Sequence, residues 1–94
     1  MADLLPLKFR ILHYASKAKD VSANMLLQDL KGEYGSDGQF SKKMLSHHLD
    51  SLRAVGMIEV TEADFDTNGE LVIKYQITDY GKDRLKYLPP AWQN

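Results

Sequence analysis

The apolar residues of this chain recur in two rhythms, one that is helical and one that is typical of strands. Between residues 4 and 18 they fall at spacings of three and four, which predicts an amphipathic helix that ends in the KAKD stretch. Ser22 suits an N-cap, and the apolar residues after it predict a second, shorter helix that Gly32 would end. Most of the chain up to Gly32 is therefore expected to be helical.

A third helix is predicted between Ser41, which can act as its N-cap, and Gly56, which can end it in a left-handed conformation. The EYGSDGQF segment in front of it has the glycine, serine and aspartate content of a loop. At about 100° per residue, six side chains share the inward side of the helix: Met44, Leu45, His48, Leu49, Leu52 and Val55. We therefore expect one face of this helix to be buried and the other exposed.

The pattern then becomes alternating, first over residues 57–61 and more clearly over 71–77. Between these two segments lies the pair Asn68 and Gly69, which is a strong signal for a hairpin turn. Two strands joined by such a turn pair side by side and run in opposite directions. The sequence therefore predicts an antiparallel β-hairpin after the third helix.

A closing helix is predicted over the DYGKDRLKYL segment, with Thr78 or Asp79 as its cap. Pro89 and Pro90 would end it, because proline cannot continue a helix. Gly81 is expected to allow close packing against this helix. Three side chains are expected to turn inward: Tyr80, Leu85 and Leu88.

Three helices, a two-stranded hairpin and a closing helix, in this order, predict an α+β fold of the small winged helix-turn-helix type. A chain of 94 residues is long enough for one modest core, so a single domain is expected over residues 1–90. Residues 91–94 would form a short C-terminal tail. The fold by itself assigns no function.

Two stretches of the chain resemble patterns found in winged-helix transcription regulators. SHHLDSLRAVGMIEV, at residues 46–60, resembles the Ser-x-His-Leu-x-x-Leu-x-x-x-Gly-Leu-Ile pattern of ArsR-like regulators. YQITDYGKDRLKYL, at residues 75–88, is similar to the Tyr-x-Leu-Thr-x-x-Gly-x-x-x-Leu stretch of MarR-like and PadR-like regulators. The resemblance implies a sequence-specific regulator of transcription that binds double-stranded DNA as a homodimer, with its third helix in the major groove.

The outward face of the third predicted helix carries the candidate DNA contacts. Its first two turns offer donors and cations without a bulky apolar residue: Ser41, Lys42, Lys43, Ser46 and His47. The lysines could bind phosphate or guanine, the other polar side chains could reach base edges or backbone oxygens, and the capped helix start would face phosphate. Taken alone, these residues fit a solvated surface better, and the resemblance reverses that preference.

The charge of the predicted hairpin argues the other way. The net charge of the chain is -1, but the segment from residue 57 to 78 has five acids against Lys74 alone: Glu59, Glu62, Asp64, Asp66 and Glu70. A duplex with one negative charge every ~1.7 Å would repel them. We therefore expect the hairpin to stand off the DNA, and the alternative function is a protein-interaction module whose acidic hairpin docks on a basic partner.

Basic residues of the first predicted helix could compensate for the acidic hairpin. They make the N-terminal end of the chain positively charged: Lys8, Arg10, Lys17 and Lys19. The sequence does not say whether these side chains face DNA. They are kept as secondary candidates for phosphate contacts.

The histidines and the catalytic motifs point away from metal and enzyme chemistry. His47 and His48 are adjacent, so on a helix they diverge by about 100° and cannot both chelate one ion. The chain has no cysteine, and neither a phosphate-cradling glycine loop nor a nucleophile beside a base can be recognised. We expect no metal, no cofactor and no enzyme activity, with His48 beside the core and His47 on the outward face.

The hydrophobic runs are short. None approaches the ~20 apolar residues that would span a bilayer, and the start MADLLPLKFR lacks the basic leader and cleavage site of a signal peptide. The sequence therefore predicts a cytoplasmic protein with no membrane partner.

Overall fold

A computed structural model describes residues 5–36, 38 and 40–92 of the chain. The helices and strands are, in chain order, α1 (Leu7–Lys17), α2 (Ala23–Asp29), α3 (Lys31–Tyr34), α4 (Lys42–Ala54), β1 (Ile58–Phe65), β2 (Leu71–Ile77) and α5 (Asp79–Arg84). Two 3-10 turns follow, at Leu85–Tyr87 and Pro90–Trp92. The predicted α+β class is confirmed.

α1 starts later than its apolar pattern predicts. Pro6 is extended, with a ψ of 138°, and its carbonyl accepts the backbone N–H groups of Phe9 and Arg10, so the helix begins at Leu7. The predicted start at Leu4 lies outside the described residues. The inward face matches the three-and-four spacing, with four buried side chains: Leu7, Ile11, Leu12 and Ala15.

Ser22 caps α2 as predicted, since its hydroxyl oxygen accepts the N–H of Met25 at 3.3 Å. α2 is short because Leu30 leaves helical geometry, with φ -98° and ψ 1°. The Leu30 side chain is nevertheless fully buried. The break therefore turns the chain while it keeps an apolar anchor in the core.

The prediction that Gly32 ends this helical region is wrong. A further helical turn, α3, contains Gly32 and reaches two residues into the segment predicted as a loop. The turn brings Tyr34 into the core, where its ring is 5% exposed and its hydroxyl donates to the carbonyl of Leu5. Burial of this one aromatic ring explains why the chain stays helical past a glycine.

Both predicted ends of α4 are confirmed. Ser41 accepts the N–H of Met44 at 3.2 Å, and Gly56 is left-handed with a φ of 81°. The N–H of Gly56 donates to Arg53 and that of Met57 donates to Leu52, which is the hydrogen-bond pattern of a Schellman cap. The helix is therefore fixed at both ends by local interactions.

The inward stripe of α4 matches the prediction except at its last member. Leu45, Leu49 and Leu52 are at most 1% exposed. Val55, which the spacing placed on the same side, is 54% exposed because it is the C-cap residue and lies outside helical geometry. The buried stripe therefore ends one turn earlier than predicted.

β1 and β2 form the predicted antiparallel hairpin, but β1 is longer than the alternating pattern indicates. Val60 pairs with Tyr75 and Glu62 pairs with Lys74, so Thr61 is an extra residue that forms a β-bulge. Paired residues share a sheet face, and the bulge shifts the phase of β1 by one residue. Ala63 and Phe65 consequently lie on the same sheet face as Ile73 and Leu71, although both are exposed.

The hairpin turn spans residues 66–70. Gly69 is left-handed with a φ of 78°, and Asp66 exchanges backbone hydrogen bonds with Glu70 and Gly69. The carboxylate of Asp66 also accepts the N–H groups of Asn68 at 2.8 Å and Glu70 at 3.0 Å. The predicted Asn-Gly turn is therefore present, and an aspartate side chain anchors it.

The connection between α1 and α2 adds to the far edge of β2. Val21 and Tyr75 exchange two backbone hydrogen bonds of 2.8 Å, and both side chains are buried. Next to this bridge, Asp20 has a φ of 52° and its carboxylate accepts the hydroxyl of Thr61 at 3.0 Å. These contacts attach the base of the hairpin to the helical part of the fold.

α5 begins as predicted, since Thr78 accepts the N–H of Gly81 at 3.0 Å. A Cβ atom at Gly81 would lie 2.1 Å from the carbonyl oxygen of Met57, so this position requires glycine. The helix is shorter than predicted and continues as a 3-10 turn from Leu85. The inward placement of Tyr80 is wrong, because its side chain is 49% exposed.

The segment after the two prolines packs back on α1. Pro90–Trp92 forms a 3-10 turn, and the Trp92 ring meets the ring of His13 edge-on with centroids 5.1 Å apart. The guanidinium of Arg10 lies 5.3 Å from the centre of the Trp92 ring. The first two residues of the predicted tail therefore belong to the folded part, while 93–94 lie outside the described residues.

Candidate nucleic-acid interface

The five predicted DNA contacts lie along the exposed side of α4 and at its cap: Ser41, Lys42, Lys43, Ser46 and His47. The opposite side of the helix is buried against α1 and α2 through three leucines, which fixes the direction of the exposed side. The hydroxyl oxygen of Ser41 accepts the N–H of Met44, so this side chain caps the helix. The remaining four side chains are exposed and polar.

The structure divides these four residues into two groups. Lys42 and Ser46 line a cleft of about 260 Å³ between α4, the start of α2 and β2, together with Asp50 one turn further along. Residues 22–24 and 71–73 form the opposite walls of this cleft. Lys43 and His47 are exposed but do not line it. The candidate interface therefore consists of an exposed part, which carries Lys43 and His47, and the cleft beside it.

A hairpin acid already occupies one of the predicted contacts. The ammonium of Lys42 donates to a carboxylate oxygen of Glu70 at 2.9 Å, although the side chains are 43% and 63% exposed. This contact places the tip of the hairpin beside the first turn of α4. A phosphate group that approached Lys42 would meet Glu70 at the same place.

The other hairpin acids are also engaged. Glu62 pairs with Lys74 at 3.2 Å, and Glu59 accepts the side-chain amide of Gln76 at 2.6 Å. Asp64 accepts the backbone N–H of Phe65, and Asp66 holds the turn. Because Lys74 already belongs to the hairpin, only Lys42, which lies in α4, offsets a further charge of the hairpin beyond the sequence count.

Two of the four basic residues of the first predicted helix hold the fold together. Lys8 donates to the hydroxyl of Ser51 at 2.7 Å, which links α1 to α4. Arg10 forms a bidentate pair with Glu33 at 3.0 and 3.1 Å and is 15% exposed. Lys17 is exposed, as is Lys19, so these two remain available for a ligand.

The two adjacent histidines have different environments, as predicted. His47 is exposed, whereas His48 is half-buried. Burial, with smaller contributions from the nearby His47 and Lys8, lowers the pKa of His48 below 6.5. Its Nε2 atom is buried and has no hydrogen-bond partner among the described residues. A buried nitrogen without a partner in that part of the chain and a lowered pKa both favour the uncharged form of the His48 ring.

Sequence reasoning missed Glu70, Asn24 and Asp50 as members of this site. Helical periodicity places Asp50 on the outward side of α4, four residues after Ser46, but the sequence prediction did not include it among the DNA contacts. Asn24 and Glu70 lie near α4 only because α2 and the hairpin, respectively, pack against it. Such tertiary packing leaves no local signal in the sequence. A carboxylate at the position of Asp50 can accept the amino group of cytosine.

Within residues 5–36, 38 and 40–92, no group of three or more His, Asp or Glu side chains is placed to hold a metal ion. Over the same residues, no helix combines the length and the apolar character needed to cross a membrane. No family model, no curated protein sequence and no solved structure matches this chain.

Proposed function

We propose that this protein is a sequence-specific regulator of transcription that binds double-stranded DNA with α4 in the major groove. The observation that carries the proposal is the exposed side of α4, where Lys42, Lys43, Ser46 and His47 project away from a face buried by leucines. The major groove, which is about 12 Å wide, admits one helix.

Each exposed side chain has a role in this proposal. Lys42 and Lys43 neutralise phosphates or bind guanine, while Ser46 and His47 donate to or accept from base edges. The Ser41 cap leaves the positive end of α4, a helix of 13 residues, facing the phosphate backbone. The polar residues of the second turn therefore supply the sequence preference, and the lysines supply most of the affinity.

The arrangement of elements supports a winged helix-turn-helix for the described residues. α2 packs on α4, the hairpin follows α4 directly, and Val21 adds a short bridge to the far edge of β2. In this proposal α4 is the recognition helix and the hairpin is the wing. The resemblance to ArsR-like, MarR-like and PadR-like regulators supports the same assignment.

A homodimer is part of the proposal, because one small module offers few phosphate contacts. An apolar groove of about 320 Å³ lies between the start of α1 and the segment after α5, with Phe9 46% and Tyr87 67% exposed at its sides. The sequence suggests Leu85, Leu88 and Trp92 as apolar surface for subunit contact. Because Leu88 is buried and Trp92 packs on α1, the exposed Phe9 and Tyr87 are better candidates. Sedimentation of the wild type and of Phe9→Ser, over a concentration series, tests this interface.

The experiment that tests DNA binding compares two double variants. Lys42→Gln with Lys43→Gln should weaken binding to an enriched duplex at least about tenfold at low salt, because two phosphate contacts are lost. Lys31→Gln with Lys82→Gln removes the same charge from exposed positions outside α4, neither of them a candidate phosphate contact, and should have a much smaller effect. Equal effects of the two pairs would contradict the assignment of α4.

A second candidate function, the protein-interaction module, is favoured by the apolar tip of the hairpin. Phe65 and Leu71 face each other across the strands and are 68% and 54% exposed. In this alternative the tip contacts a basic partner. A lysine-rich probe peptide should then bind to the wild-type protein, and Phe65→Ser and Asp64→Asn should each abolish that binding. No DNA duplex should bind. Asp66 is unsuitable for such a test, because it holds the turn.

A further inference from the structure

We infer that Glu70 is an intramolecular substitute for a DNA phosphate. Its carboxylate pairs with Lys42 in the free protein and is displaced when a duplex binds. Glu70 therefore sets the affinity of the α4 surface for DNA and the salt dependence of that affinity. The inference rests on the proposed function and adds to it a residue that lies outside α4. It also assigns the tip of the hairpin a role in DNA binding that its negative charge alone would not suggest.

The contact has the geometry of the interaction that it would replace. The ammonium nitrogen of Lys42 and the carboxylate oxygen of Glu70 are 2.9 Å apart, the usual distance for a charge-assisted hydrogen bond. A phosphate oxygen accepts from lysine at a similar distance. The two residues are 28 positions apart in sequence, so tertiary docking of the hairpin brings them together.

The backbone of Glu70 is held in place by the turn. Its N–H donates to the carboxylate of Asp66 at 3.0 Å, and its carbonyl accepts the N–H of Asp66 at 2.9 Å. Gly69 supplies the left-handed residue that closes the turn. Because these contacts fix the Glu70 backbone, only the side chain has to move when a phosphate takes its place.

The neighbours of the pair show where the phosphate would approach. Leu71 follows Glu70 directly and lines the same cleft as Lys42 and Ser46. The ion pair therefore bridges two walls of the cleft at the first turn of α4. Backbone N–H groups of this turn present partial positive charge there, which attracts phosphate and carboxylate alike.

The exchange has a definite salt signature. Glu70 and Lys42 are both exposed, so their pairing is weak enough for a polyanion to displace. When Lys42 binds a phosphate, a counterion is released from the duplex. The displaced Glu70 carboxylate then lies near the phosphates without its lysine partner and takes up a cation in exchange. Replacing Glu70 by glutamine removes that cation, which should steepen the slope of log K against log salt by about 0.9.

The test is a salt titration of duplex binding by the wild type, Glu70→Gln and Glu62→Gln. Glu62 is a matched control, because it is also an exposed hairpin glutamate paired with a lysine, Lys74 at 3.2 Å. Glu70→Gln should raise affinity about three- to tenfold at low salt and steepen the slope, whereas Glu62→Gln should change affinity less than about twofold. Both variants should keep the wild-type circular dichroism spectrum.

A double-mutant cycle with Lys42→Gln separates contact from general charge. In the Lys42→Gln background, Glu70→Gln should have no more effect than Glu62→Gln. An undiminished effect in that background, or equal effects of the two glutamates in the wild type, would overturn the inference while DNA binding stands. If no variant binds any duplex at low salt, the proposed function fails and the inference fails with it.

A measurement on the free protein keeps the contact itself open to refutation. The side-chain ammonium resonances of Lys42, followed by NMR without DNA, should shift in Glu70→Gln and stay unchanged in Glu62→Gln. If the Lys42 resonances were unchanged in both variants, Glu70 would not pair with this lysine in solution. The inference would then be wrong whatever the DNA titrations show.

Discussion

α4 and the hairpin that follows it are stabilised in contrasting ways. α4 has a serine cap, a glycine cap and a leucine stripe, all of which arise from residues within the helix or directly beside its ends. The hairpin depends on a β-bulge at Thr61, a turn anchored by Asp66 and a bridge to Val21. The exposed side of α4 is therefore set by local interactions, whereas the hairpin acid that contacts it, Glu70, is brought there by tertiary contacts.

The largest effect on stability is expected from a substitution in the buried face of α4. Leu49→Ala should lower the free energy of unfolding by about 2–5 kcal/mol, because the side chain is 1% exposed and its removal leaves a cavity. Val55→Ala is the control, since Val55 is 54% exposed and should cost less than about 1 kcal/mol. Urea denaturation measures both, and similar losses would contradict the observed end of the buried stripe.

A smaller effect is expected where α5 meets the start of β1. Gly81→Ala should lower the free energy of unfolding by about 1–3 kcal/mol, because the new Cβ would lie 2.1 Å from the Met57 carbonyl oxygen. Gly32→Ala places the same methyl group in α3 with no atom within 4 Å and should be neutral or stabilising. Thermal unfolding of the two variants gives the comparison, and a stable Gly81→Ala would refute the close approach.

The next effect tests the hairpin turn. Asp66→Ala removes the acceptor of two backbone N–H groups and should cost about 1–2 kcal/mol of stability. It should also loosen Glu70 and shift the Lys42 ammonium signal. Thr67→Ala, at an exposed turn position, should do neither. If amide hydrogen exchange in the hairpin were the same in both variants, the anchoring role of Asp66 would be wrong.

The smallest effect concerns pH. Burial is the main cause that lowers the pKa of both His13 and His48 below 6.5 in the folded protein. The unfolded chain therefore binds more protons as pH falls through 6.5, so stability is greatest above that pH and declines below it. His48→Gln should flatten this decline, and urea midpoints between about pH 7.5 and 5.5 would reveal it. A wild type with constant midpoints would contradict this account.

The sequence was sufficient for features that depend on near neighbours. The Ser22, Ser41 and Thr78 caps, the left-handed Gly56 and the leucine stripe all follow from spacing within one element. Val55 was misplaced because the helical period was extended one residue beyond the last helical position. These outcomes show that periodicity identifies a face well and a boundary less well.

Features that depend on distant residues were not predictable. The length of β1 was underestimated because the bulge at Thr61 shifts the alternation by one residue. α3 forms because Tyr34 is buried in the core, which overrides the glycine in that turn. The pairing of Lys42 with Glu70 joins two elements 28 residues apart, and no local pattern indicates it. The candidate DNA-facing residues and the hairpin acids were named from the sequence, but the contact between Lys42 and Glu70 was not predicted.

Selection of bound sequences from a random duplex library tests the central claim most directly, because it examines DNA binding, sequence preference and dimer symmetry together. The account predicts that the wild type enriches a palindromic site with half-site centres about 10–10.5 base pairs apart, or a multiple of that distance. Lys42→Gln with Lys43→Gln should enrich nothing under the same conditions. A wild-type library that stays as random as that of the double variant would contradict the proposal that α4 reads DNA.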